Sequence, residues 1–166
     1  MARVSTGQIV VVSSVLVVGL VAFAIARGGG GGGEPLDESE WAAQVCTVQS
    51  RLDDDLEAEI FGSPTPGLHL QLIGEAYQRA AEDLARISPP PSARVYHEAF
   101  QKGSEEVAHA AFAAMAALSD WTSEEEFEAS LDALNAVSER TAEEVDAARE
   151  SLPHSAKAAL NGCMGR

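Results

Sequence analysis

Basic residues are scarce in this chain of 166 residues, where 11 Lys and Arg stand against 26 Asp and Glu. Nucleic-acid binding needs Lys and Arg clustered against phosphates, so the imbalance argues against it. The same charge keeps a protein soluble and disfavours direct adhesion to anionic lipid. Cysteine is nearly absent: two residues, with neither C-x-x-C nor C-x-x-C-H, leave no dithiol redox motif and no haem attachment. The sequence has no G-x-S-x-G elbow, phosphate loop or G-x-G-x-x-G, and its glycine run follows no strand. No catalytic residue and no cofactor is expected. Nor does any segment alternate apolar and polar residues, so no β-sheet is expected.

What is present is unevenly placed. Residues 1–27 are apolar and carry no acid, residues 28–33 are six glycines, and all 26 acids lie at or after Glu34. Beyond residue 27 the chain carries nine bases against those 26 acids, a net of −17.

Ile9–Ala26 is an uncharged apolar run of 18 residues. As a helix it reaches roughly 27 Å, close to the hydrocarbon thickness of a bilayer. Ser13 and Ser14 can bond carbonyls one turn back and do not forbid insertion. The N-terminal tail is very short, with Arg3 on it, and a large acidic part follows Arg27. The expectation is a single-pass cell-membrane protein, its domain on the extracytoplasmic side. Ala24-Ile25-Ala26 also fits a signal-peptidase site, and cleavage after Ala26 would release the domain. Both readings place the domain outside the cytoplasm. Residues 28–36 form a Gly-rich linker whose six glycines span roughly 13–15 Å.

Residues 37–166 read as an all-α domain. Asp37 with Glu40 forms a capping box, and Trp41, Val45, Val48, Leu52, Leu56 and Ile60 then mark one helical face, ended by Gly62–Gly67. A second helix, about 68–87, carries Leu70, Ile73, Tyr77, Ala80, Leu84 and Ile87, and Pro89-Pro90-Pro91 breaks it. A third, about 92–118, carries Tyr96, Phe100, Val107, Ala111, Ala114 and Leu118. Thr122 or Ser123 opens the fourth, whose face is Phe127, Leu131, Leu134, Val137, Thr141, Val145 and Ala148. Leu152-Pro153 stops it, and a short helical turn from about His154 to Leu160 follows. Four such helices with short connections predict an antiparallel four-helix bundle beside the transmembrane helix.

Cys46 and Cys163 form an isolated even pair, which in an oxidising compartment most simply makes one disulfide. Glu106 and His109 stand three apart, as in one half of a di-iron carboxylate motif, but the second copy is missing. They are weak candidate metal ligands beside the plainer reading of surface or boundary residues, and no metal is expected. His97, 12 residues before His109, faces roughly 120° away and shares no site with it, and it too reads as an ordinary surface or boundary histidine. Asp53-Asp54-Asp55 with Glu57 and Glu59 reads as a solvated acidic face, lacking the EF-hand glycine and spacing. Phe112 lies off the stripe of its helix and Trp121 sits in a turn, so these two are candidate partner contacts or second-layer packing.

Trp41…Cys46, followed by Asp83-Leu84…Ile87-Ser88-Pro89-Pro90…His97, resembles a pattern in secreted or membrane-anchored helical-bundle proteins of high-GC bacteria, over roughly residues 38–118. Their roles are uncharacterised, and the resemblance implies an envelope protein without bringing any catalytic residue. Those proteins are commonly lipid-anchored through a cysteine. This chain departs from them, since no Cys follows its apolar run.

Together these features predict a non-enzymatic interaction module or accessory subunit of a membrane assembly, with a protein partner at the membrane. A small-ligand or metal-binding bundle using carboxylates and His109 is the alternative, and a structural spacer is the third reading.

Overall fold

The computed structural model describes residues 35–62, 65–119 and 124–164. Five α-helices and one short 3-10 turn account for nearly all of these, and no strand occurs among the described residues. The order is α1 Glu38–Gly62, α2 Pro66–Leu84, the 3-10 turn Pro91–Ala93, α3 Arg94–Ser119, α4 Glu124–Glu150 and α5 His154–Met164. The anticipated transmembrane run, the glycine linker and the caps at Thr122 and Ser123 lie outside the described residues. No helix among those described is long and apolar enough to cross a membrane.

Each boundary has a local cause. Asp37 accepts the backbone N–H of Glu40 at 2.8 Å and starts α1. Thr65, with an extended backbone, accepts the N–H of Leu68 at 3.3 Å, and Pro66 supplies a pre-set first turn for α2. The N–H groups of Arg86 and Ile87 bond back to Asp83 and Leu84, which tightens the end of α2 ahead of the prolines. Leu36 donates its N–H to the Ser88 carbonyl at 3.2 Å, so the chain entering α1 is tied to the α2–α3 connection.

Two apolar clusters hold the helices together. The first joins Trp41, Val45 and Val48 of α1 to Ala80 and Leu84 of α2, and to Tyr96 at the start of α3. Ala148 from the end of α4 and Ala156 and Leu160 from α5 complete it. The start of one helix thus meets the end of the next, which gives the up-down alternation. The second cluster gathers Leu70, Val107, Ala111, Ala114 and Leu134 from α2, α3 and α4 at the other end.

The closely packed pairs are α1–α2, α2–α3, α3–α4 and α1–α5. The bundle therefore differs from a closed four-helix ring. α4 lies along α3, and α1 takes α5 as its second close neighbour. The segment read as a short turn after Pro153 is an 11-residue helix. Its Ala156 and Leu160 are fully buried, which is why it persists beyond one turn.

Candidate functional site

α1 carries seven acids and one base, and α4 carries ten acids and two bases. Net charges of −6 and −8 oppose the closing of one helix onto the other. Other seams are laced by ion pairs. Arg51–Asp83 and Arg79–Asp55 join α1 to α2, Lys102–Glu144 and Arg140–Glu106 join α3 to α4, and Lys157–Glu150 joins α5 to α4.

Between α1 and α4 a cleft of about 250 Å³ opens to solvent. Gln49, Leu52 and Asp53 form its α1 wall. Its α4 wall is Ser138, Thr141, Ala142, Val145 and Asp146, a single face at i, i+3, i+4, i+7 and i+8. Tyr77 from α2, with Phe100, Gly103, Ser104 and Val107 from α3, make the floor. Gly103 permits the close approach of α3 and α4 here. A Cβ at this position would lie 3.3 Å from the Cβ of Thr141. Ser104 donates to the Phe100 carbonyl and Thr141 to the Ser138 carbonyl, both at 3.0 Å. Both hydroxyls are buried and keep acceptor lone pairs.

Electrostatics at the mouth follow from this setting. Partial burial, and then the neighbouring Asp54, push the Asp53 carboxyl above its ordinary value. Burial likewise raises the Tyr77 phenol, with a smaller contribution from Asp53.

Glu106 is already engaged. It accepts from Arg140 at 2.8 Å and lies 3.4 Å from the Lys102 ammonium. Burial is the largest single influence on its carboxyl and acts upward, but the hydrogen bonds from Arg140 and Lys102 bring it below the usual value. His109 is exposed on the same helix. No group of three or more His, Cys, Asp or Glu side chains converges on a metal-sized space among the described residues. Asp55 of the acidic run is held by Arg79 at 3.0 Å.

His97 is buried, contrary to the surface or boundary position expected for it. Its Nδ1 accepts the Trp41 indole N–H at 3.4 Å, and its Nε2 donates to the Leu84 carbonyl at 3.0 Å. Both ring nitrogens are thereby used, and burial pulls the pKa below the ordinary histidine value. The imidazole ties α1, α2 and α3 together and has no nitrogen left for chemistry.

Cys46 is buried on α1, its Sγ 4.0 Å from the carbonyl oxygen of Leu160 on α5. Phe112 is half-buried, its ring lying over Gly74 of α2, so one face is covered from within the bundle. Trp121 and the Cys163 side chain lie outside the described residues.

The cleft itself was not anticipated. Its one sequence signal is the run Gly103-Ser104 beside the α3 stripe, small residues that mark a thin helix surface. Comparison with known protein families, curated proteins and solved structures returns no match.

Proposed function

We propose that this protein is a non-enzymatic interaction module held at the outer face of a cell membrane by residues 9–26. It serves there as a binding partner or accessory subunit of a membrane assembly. The observation that carries the reading is the acidic excess on α1 and α4. Arg51, Arg79, Arg86, Lys102, Arg140 and Lys157 are each tied to carboxylates within the bundle. What the surface offers to another molecule is therefore mostly negative charge, which suits a partner presenting Lys and Arg.

A disulfide between Cys46 and Cys163 belongs to the same reading, because it fits an oxidising compartment. Its support is local. Cys46 has no free thiol, and its sulfur faces α5 three residues before Cys163. The bond would fasten α5 to α1.

The test is purification of the full-length chain from native membranes in mild detergent, with mass spectrometry of everything recovered. A stoichiometric partner that dissociates as salt rises is the expected result. Recovery of the chain alone and monomeric would overturn the interaction reading. Recovery from the soluble fraction, lacking residues 1–26, would overturn the anchor.

A second reading, a bundle that holds a small ligand, is favoured by the cleft between α1 and α4. That cleft replaces Glu106 and His109 as its centre.

A further inference from the structure

We infer that the cleft between α1 and α4 binds a small aliphatic amine, an ammonium group carried on a polymethylene chain. This rests on the second reading above and adds the class of ligand.

Size comes first. Pockets for drug-sized ligands occupy roughly 300–1,000 Å³, and about 250 Å³ suits a shorter, slimmer molecule than those. An entering helix would not fit. Part of the lining is apolar, with Leu52 and Val107 buried and Phe100 and Val145 half-buried. A methylene chain gains by leaving water there.

Charge then selects the head group. Asp53 stands on one wall and Asp146 on the other, and the helices that bear them carry net −6 and −8. An anion is repelled before it reaches the mouth. The neighbouring bases of the chain are committed to other partners. Lys102 and Arg140 are held by Glu144 and Glu106, Arg51 by Asp83, and Arg149 donates to Asn161. A diffusing cation can supply the countercharge. The rings of Tyr77 and Phe100 and the acceptor lone pairs of Ser104 and Thr141 also favour an ammonium inside. A bare dication is disfavoured, because among the described residues no third carboxylate and no imidazole lines the cleft.

The experiment is calorimetric titration of the full-length protein, in non-ionic detergent at low ionic strength, with diaminohexane as the probe. Hexanediol and hexanoate are the neutral and anionic comparisons. Saturable one-to-one binding of the diamine alone is expected. Replacing Asp53→Asn together with Asp146→Asn should weaken it on the order of tenfold. Ala142→Phe, which fills the cleft without changing charge, should abolish it. Glu139→Gln with Glu143→Gln removes the same charge from α4 outside the cleft and should change affinity by less than about threefold. Circular dichroism and melting temperature establish that each variant is folded. Equal weakening by the two charge-removing pairs, or binding that survives Ala142→Phe, would overturn the site. If hexanediol or hexanoate binds in place of the diamine and Ala142→Phe blocks it, the amine class is wrong and the small-ligand reading stands. If none of the three binds, both fall.

Discussion

The indole N–H of Trp41 on α1 points at Nδ1 of His97 on α3, 3.4 Å away, and fixes which ring nitrogen carries the proton. The proton sits on Nε2, bonded to the Leu84 carbonyl. Charging this imidazole would turn Nδ1 into a donor facing another donor, inside the core. Burial accordingly depresses the pKa of His97 below its ordinary 6.5. The unfolded chain binds this proton more readily than the folded one, so stability rises with pH across the interval between the two pKa values. Full stability is present above about pH 6.5 and is lost as pH falls below it. Replacement His97→Phe leaves the indole N–H unpaired and takes from the Leu84 carbonyl one of its two donors, the other being the Ile87 N–H, and should cost about 1–3 kcal/mol at pH 7.5. The variant's melting temperature should also fall less than the wild type's between pH 7.5 and 5.5. Parallel curves would show that the acid sensitivity originates elsewhere.

Phe112 and Gly74 make a second checkable pair. A Cβ on Gly74 would come within 2.7 Å of the Phe112 ring. Gly74→Ala ordinarily gains up to about 1 kcal/mol in a helix interior. Here the ring must move off α2, and a net loss of about 1–2 kcal/mol is expected. In a Phe112→Leu background the same substitution should be neutral or stabilising. A double-mutant cycle by urea denaturation measures this, and a coupling energy near zero would mean the ring does not rest on the glycine.

Lys102, Glu106, Arg140 and Glu144 form one network across α3 and α4. Its members are partly exposed, so screening keeps its worth small. Glu106→Gln should cost less than about 1 kcal/mol, shrinking further in high salt. If Glu106 instead served a bound metal, the substitution would abolish a metal-dependent rise in melting temperature in the wild type.

Reduction should matter more than any of these ion pairs. A Cys46–Cys163 bond closes a loop of over 100 residues and contributes up to about 4–5 kcal/mol in the chain-entropy picture. Cys46→Ser and Cys163→Ser should lower the melting temperature alike, and reductant should then have no further effect. A wild-type melting temperature indifferent to reductant would argue against the bond.

The helices were legible in the sequence because apolar residues recur at helical spacing. Trp41, Val45, Val48 and Leu52 all lie in the core, and Asp37 caps α1 as its spacing with Glu40 suggested. The arrangement around them was less so. α3 sits between α2 and α4 and buries two stripes. Periodicity picks out the stripe of Tyr96, Phe100, Val107 and Ala111, but not the second, His97, Ser104 and Ala108. Small and polar residues carry a weak hydropathy signal even when fully enclosed, which is why the sequence pattern does not single out His97 and Ser104. Nor does periodicity say which helices touch. The gap between α1 and α4 goes with their like charge and with α1 packing closely on α2 and α5 instead.

That placement of α5 has a consequence for the order of assembly. Neighbouring helices α2, α3 and α4 meet through hairpins, whose contacts are close in sequence and form early. The seam between α1 and α5 does not. Ser155 bonds Glu38 across 117 residues, and Leu160 meets Cys46 across 114. Until α5 arrives, one side of Trp41, Val45 and Cys46 stays open to water, and the seam between α1 and α5 is the one expected to close last.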